Sequence, residues 1–518
     1  MDRLLQVKSA FKPAAESDEK PSVVPSVSSA KATDRSLAHS VLWNASSDWG
    51  SQILTWLAFL VVMRLLTPED FGVAALGVIL MPYLGQITGF GIPRAVVAIR
   101  ELTGDQLAQL TTVNVMLGAL CFLFGLLMAK PFATFFRIPA LAPVLIVTCS
   151  GLMLGAISGV PTAVLAKEMR FRFLSVLGAA TAVIAAAATL LMAFLGFGYW
   201  ALLLGNMAGA LVRTAVILGV NGRRLAWPRF AMIREPLKFG WHISVSMLAL
   251  NSYQRLDNFV AGRMLGQAAL GLYGNAWELA NVPIEKVTSL VTTVIPSYLS
   301  AVQDQPAEVR RYLRGLTEMI ALATFPATVG LGLVAHELVP VVFGEQWNGM
   351  IGTLEVLSYY AAFRSIVALL PKVLTAVGKV RYVMWNDLAA AVILPVAFYV
   401  GSARGITGIA WGWVVAYPFV VLPLYHKTFR TIGMKIGEYI RALRPALDGT
   451  MAMALCVELV KHTLAPSLPL VVRLTLEIMT GIAVYAGTLW VLHRERVQVL
   501  VQAARSSVFG SSPVAQPS

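Results

Sequence analysis

The feature that most limits how this chain can fold is a recurring apolar run of about 20 residues. Fourteen such runs can be drawn, at roughly 43–66, 71–93, 107–129, 139–160, 173–195, 199–219, 241–261, 270–298, 316–335, 351–371, 384–401, 405–425, 446–465 and 469–492. Each is long enough to cross about 30 Å of hydrocarbon as an α-helix. Lipid offers no partner to backbone polar groups, so only helices and closed barrels span it. The alternating ten-residue segments of a barrel are absent. An all-α integral membrane protein with about 14 transmembrane helices is expected. The composition agrees, because 57% hydrophobic against 13% charged residues excludes both a soluble domain and a disordered chain.

The formal net charge of +14 invites a nucleic-acid partner, but its placement argues against one. Lys and Arg gather in alternate loops: Lys167, Arg170 and Arg172; Arg223, Arg224, Arg229, Arg234 and Lys238; Arg310, Arg311 and Arg314; Lys379 and Arg381; and Lys427, Arg430, Lys435, Arg441 and Arg444. The opposite loops hold only Arg64, Lys130, Arg137, Arg263, Arg404, Lys461 and Arg473. This is the positive-inside pattern. It places both termini in the cytoplasm and calls for an even number of spans. Residues 1–40, rich in Ser, Ala, Lys and Pro, read as a disordered cytoplasmic tail, and 494–518 as a second cytoplasmic tail. Cys121, Cys149 and Cys456 lie in apolar runs without CxxC spacing, which suits packing rather than disulfides or metal.

The chain repeats itself. Arg64-Leu-Leu-Thr-Pro-Glu-Asp-Phe-Gly72 after the first span matches Arg263-Met-Leu-Gly-Gln-Ala-Ala-Leu-Gly271 after the seventh, with Arg, apolar pair, apolar residue and Gly in register. Gly91-Ile-Pro93 is answered by Val294-Ile-Pro296, and Pro161 through Arg170 by Pro371 through Arg381. Copies an even number of spans apart point the same way, giving a parallel repeat about an axis along the membrane normal, an arrangement that favours transport. The expected organisation is an N-terminal six-helix lobe (41–222), a cytoplasmic basic linker (223–240), a C-terminal six-helix lobe (241–425), an amphipathic cytoplasmic linker (426–445), and helices 13 and 14 (446–493) outside the repeat. The linker 426–445 puts Ile432, Ile436, Ile440 and Leu443 on one face and is expected to lie on the leaflet surface. Helices 13 and 14 are expected to serve the lipid tail or lobe packing.

Polar residues inside the seventh span point to function. Asn251, Gln254, Arg255, Asp257 and Asn258 fall where a charge costs roughly 2.5 to 3.5 kcal/mol on insertion scales, so they should face a protected, wet interior. In the first span Gln52, Thr55 and Trp56 share the register of Asn251, Gln254 and Arg255, each trio lying on one helical face. Interhelical hydrogen bonding is the competing explanation for the neutral residues. It explains a guanidinium less well. Asp257, two residues from Arg255, points elsewhere and could pair with Lys286 in the eighth span. Glu278 on that span and Arg364 in the tenth are further candidates for ion pairing or coupling. Pro283, Pro296, Pro326, Pro371, Pro395 and Pro418 mark expected helix breaks. No P-loop, HExxH, GxSxG or Cys/His cluster is present, and no metal or cofactor is called for.

These motifs carry a family resemblance. Arg64-Leu-Leu-Thr-Pro-Glu-Asp-Phe-Gly72, Asp257 followed by Gly262-Arg-Met-Leu-Gly266 and Leu270-Gly-Leu-Tyr273, and Pro283 with Val294-Ile-Pro296 resemble the Wzx-type polysaccharide flippases of the multidrug, oligosaccharidyl-lipid and polysaccharide exporter superfamily, over roughly residues 40–495. The resemblance implies a multi-pass protein of the bacterial inner membrane, with fourteen helices around a central cavity that opens alternately to either side. It implies an undecaprenyl-diphosphate-linked oligosaccharide as cargo, for exopolysaccharide, capsule or lipopolysaccharide assembly. A polysaccharide polymerase and a chain-length regulator are the protein partners it suggests.

The residues fit such a cargo. Arg255 suits a diphosphate through its planar fork, and Gln52, Asn251, Gln254, Asn258 and Trp56 suit sugar hydroxyls and ring faces. A multidrug cation antiporter of the same superfamily is the alternative, and it would line its cavity with uncompensated acids. A membrane glycan polymerase or ligase would need a large outer loop, which this sequence lacks.

Overall fold

A computed structural model describes residues 52, 54–99, 101–222, 225–251, 255–292, 305–464 and 468–494, with backbone alone at 242–243, 245–251 and 289–292. Among them every regular element is helical. Ten helical runs are long and apolar enough to cross a membrane by length and composition. A shorter apolar helix, α1, covers Leu54–Leu65. The helices Phe230–Asn251, Leu256–Leu265, Gln267–Thr292 and Ile436–Thr463 stand outside that set, being shorter or more polar.

The N-terminal lobe continues with α2 (Pro68–Val78), α3 (Met81–Gly89), α4 (Ile92–Ala98), α5 (Gly104–Phe136), α6 (Leu141–Lys167), α7 (Phe171–Phe194) and α8 (Tyr199–Asn221). The C-terminal lobe holds α9 (Phe230–Asn251), α10 (Leu256–Leu265), α11 (Gln267–Thr292), α12 (Pro306–Leu333), α13 (Ala335–Leu338), α14 (Ile351–Val367), α15 (Leu370–Ala376), α16 (Val380–Ser402) and α17 (Gly405–Ile432). α18 (Ile436–Thr463) and α19 (Leu470–Leu492) follow. Between α13 and α14 the chain makes a π-turn and a 3-10 turn over Val339–Met350.

The motif at Arg64–Gly72 has a physical reading. Thr67 caps α2, its side chain accepting from the Asp70 amide while Asp70 accepts from the Thr67 amide, and Pro68 takes the first turn, where no amide hydrogen is needed. Such a cap contributes about 1 kcal/mol. Asp70 also accepts from the Tyr199 amide at 2.8 Å, fixing the start of α8 against α2. Gly72 then meets the other lobe: a Cβ there would lie 1.8 Å from the Gln267 carbonyl oxygen. Its repeat partner Gly271 would meet the Pro68 carbonyl at the same 1.8 Å.

The lobes touch at both ends of the bundle. At the end away from the basic loops, the open carbonyls of α1 are capped by the Val339–Met350 segment. Gln346 Nε2 donates to Met63 O and Leu66 O at 2.9 and 3.0 Å, and the fully buried Trp347 donates from Nε1 to Met63 O at 2.8 Å. Arg64 donates to the carbonyls of Val341 and Val342. At the basic end, Gly91 (φ +63°) lies against Gly240 so closely that a Cβ would sit 2.5 Å from its carbonyl oxygen, and Ile233 of α9 joins the core of Ile92, Val96, Leu110 and Val160.

Several expected boundaries differ. Residues 230–240 of the basic linker are the first turns of α9, which Gln106 of α5 holds at the Met232 carbonyl, and Thr112 and Gln109 of α5 accept from the Ala226 and Arg229 amides before it. No separate surface helix covers 426–445: α17 runs to Ile432, α18 starts at Ile436, and Tyr439, Ala442, Leu443 and Pro445 are buried against the C-terminal lobe. Of the apolar face expected to meet lipid, Ile432 and Leu443 are buried in the core that Tyr425 and Phe429 pack against, while Ile436 and Ile440 are exposed. Pro283, Pro326, Pro395 and Pro418 sit inside continuous helices, and Pro371 begins α15. Pro296 and the tails 1–40 and 495–518 lie outside the described residues.

Candidate functional site

The seventh span is two helices. α9 is described as far as Asn251, α10 begins at Leu256, and Arg255 stands at its N-cap in a non-helical conformation (φ −130°, ψ 15°). Arg255 lies ten residues from the end of α10 at Leu265, about 15 Å at 1.5 Å per residue, near the middle of a bilayer core. Non-helical backbone at that depth is tolerated where it is buried in protein or lines a wet cavity. The helix is discontinuous at the polar stripe, where the sequence has no proline.

Arg255 is exposed, and among the described residues its guanidinium has no hydrogen bond or ion pair. It lies within electrostatic reach of Tyr83 on α3, Glu278 on α11 and Asp257. Tyr83 belongs to the opposite lobe, so Arg255 looks into the space between lobes. Across the same space Lys286 of α11 donates to Gln52 Oε1. Glu278 and Glu285 are exposed on the flank of α11, giving a mixed-charge surface with Arg255 and Lys286. Trp56 on α1 is half-buried, edge-on to Phe59 with centroids 5.7 Å apart.

The remaining predicted residues separate from this group. Asp257 is 1% exposed inside the C-terminal lobe. Its carboxylate accepts from Tyr273 Oη at 2.8 Å, from the Asn258 amide at 2.8 Å and from Trp413 Nε1 at 3.2 Å. It does not pair with Lys286, which reaches Gln52 instead. Asn258 packs its side chain toward Gly274 of α11, and its amide oxygen is buried without a hydrogen-bond partner among the described residues. Arg364 forms no ion pair among the described residues; it donates to Asn281 Oδ1 and lies over the Trp277 ring at 5.2 Å. The side chain of Asn251 and all of Gln254 lie outside the described residues.

Tyr83, Tyr273 and Trp413 are neighbours of the site that sequence reasoning did not single out. Tyr273 stood in plain view in the Leu270-Gly-Leu-Tyr273 motif, one helix after Asp257. Nothing in the sequence linked Trp413 to Asp257, 156 residues away.

The sequence pattern of the polysaccharide biosynthesis protein family matches residues 61–352, more than half the chain. The chain belongs to that family. As a family member it is 24% identical over 393 residues to the lipopolysaccharide biosynthesis protein WzxC of Escherichia coli, covering 74% of this chain and 79% of the relative. It is 24% identical over 481 residues to the succinoglycan biosynthesis transport protein ExoT of Rhizobium meliloti, covering 91% and 96%. Its fold is that of the lipid II flippase MurJ in an inward closed conformation, with a TM-score of 0.70, 14% identity, and coverage of 88% of this chain and 100% of that one.

Proposed function

We propose that this family member flips a lipid-linked oligosaccharide across the bacterial inner membrane by alternating access of its two lobes, supplying polysaccharide assembly. The basic end of the bundle faces the cytoplasm, as the loop charges require. The names of WzxC and ExoT, a biosynthesis protein and a transport protein for bacterial polysaccharides, support the cargo class. The cargo is carried on undecaprenyl diphosphate, and the product passes to a polysaccharide polymerase with its chain-length regulator.

The observation that carries the reading is Arg255. A guanidinium at mid-bilayer depth, exposed between two lobes and without a hydrogen bond or ion pair among the described residues, is costly unless a ligand meets it. A diphosphate supplies two charged oxygens in the geometry of its fork. Gln52, Asn251 and Gln254 serve the sugar, with Trp56 as an apolar wall. Glu278 and Glu285 would suit a cationic drug, the antiporter alternative, but Arg255 and Lys286 share their surface.

Arg255→Ala tests the assignment. Polysaccharide export in a deletion strain should vanish while membrane abundance stays near wild type. Normal export, or a defect traced to lost protein alone, refutes it.

A further inference from the structure

A buried charge cluster joins α13 to the last two helices, α18 and α19, and flipping as described does not use it. Glu337 of α13 is 4% exposed; its Oε1 takes Arg473 of α19 at 3.3 Å and its Oε2 faces Lys461 of α18 at 3.5 Å. Lys461 also donates to the Leu333 carbonyl. Glu477, one turn beyond Arg473, is 0% exposed, and neither of its carboxyl oxygens has a hydrogen-bond donor among the described residues. It lies seven residues inside α19, about 10 Å from the end at Leu470, and close enough to Glu337 for the two charges to interact. It also lines an apolar groove of about 480 Å³ walled by α12, α18 and α19.

Two carboxylates close together in an apolar interior repel each other, and the second has no donor among the described residues to replace lost water. Both nearby cations are committed to Glu337. Two carboxyl groups are satisfied together when one keeps a proton and donates it to the other. We propose that Glu337 and Glu477 jointly bind one proton that exchanges with the outer side of the membrane, on the orientation given above, and that this pair is the proton-responsive element of the transporter.

The surroundings support an exchange site. With the proton in place, Glu337, Glu477, Lys461 and Arg473 sum to one positive charge. On release the proton passes to outer water past Lys461 and Arg473, whose side chains are 16% and 22% exposed, and the cluster becomes neutral. Arg473 Nε, buried without an acceptor in the present state, then gains Glu477 as one. Release therefore redistributes the bonds that tie α19 to α13. The groove walls from α12 bring no titratable group, and Tyr485 of α19 is committed to the Leu322 carbonyl at 2.7 Å. Glu458 pairs with His462, and His336 with Glu355, so neither acid is paired with the cluster's cations.

Infrared spectroscopy of the full-length protein in lipid vesicles reads the site directly. The wild type should keep a protonated-carboxyl band at neutral pH, the near-isosteric Glu477→Gln should lose it, and Glu458→Gln should retain it. In cells, export by Glu477→Gln should lose the dependence on external pH that wild-type export has. A band that survives Glu477→Gln, or an external-pH profile identical in the two proteins, overturns the proposal. The spectroscopic arm needs no cargo, so its failure and a failure of the flippase reading are distinguishable.

Discussion

Gly72 and Gly271 occupy equivalent positions in the two halves of the chain and press against each other's helix starts: a Cβ on either would lie 1.8 Å from the opposite backbone, at Gln267 and Pro68. Positions that a repeat aligns meet in this reciprocal way when the axis relating the copies passes between them. The contact seals the lobes at the end away from the basic loops, and only glycine permits it.

Gly72→Val should therefore prevent the seal from closing. The backbone must give way to about 3.4 Å before a side chain fits, and the atoms in the way are backbone atoms of Gln267 rather than the end of a flexible side chain. Export should fall at least tenfold with the protein still inserted, and cysteines placed on α1 should become more reactive to outside thiol reagents. Unchanged reactivity and export would show that the seal is not needed.

Arg255→Lys should restore export only in part compared with Arg255→Ala, because an ammonium keeps the charge but loses the fork. Gln52→Ala, Asn251→Ala or Gln254→Ala should each be milder, removing one hydrogen bond of about 0.5 to 1.5 kcal/mol. Initial export rates across the series give the order, and equal rates for Lys and Arg would exclude bidentate binding.

Asp257→Ala should destabilise the C-terminal lobe, since it leaves Tyr273 Oη and Trp413 Nε1 buried without an acceptor, at about 1 to 3 kcal/mol for each group. Tyr273→Phe should cost less, about 1 kcal/mol, as Trp413 still reaches the carboxylate. Thermal unfolding in detergent ranks the two. A larger loss for Tyr273→Phe would mean that the carboxylate is not the hub.

Topology has its own check. A reporter active only outside the cytoplasm, fused after Leu225, should be silent, and one fused after Gly344 should be active. The reverse pattern would invert the bundle.

What was legible in the sequence follows from which forces act locally. Lipid imposes apolar length, so the spans could be read, and the pairing of Arg64 with Arg263 and Gly72 with Gly271 showed the repeat before any contact was known. The depth of Arg255 could be counted from hydropathy alone. The partners of Asp257 could not, because Tyr273 and Trp413 are 16 and 156 residues away and only packing brings them together. The basic stretch 223–240 looked like a linker because charge resembles solvent exposure, yet from Phe230 onward it is helix, with Ile233 packed into the core of Ile92, Val96 and Val160. The cluster at Glu337 and Glu477 was invisible for the same reason as Trp413: its members come from three separate helices.

Arg64 and Arg263 show what duplication leaves behind. Each reaches out of its own lobe into the other, Arg64 to the carbonyls of Val341 and Val342, Arg263 to the ring of Phe135 at 5.0 Å. In an ancestor with two identical halves, a single codon would have written both arms of this handshake, and any change to it would have been felt twice. The two arms now grasp different chemistry, so each can be altered alone, and the asymmetry between the lobes has become something that selection can adjust.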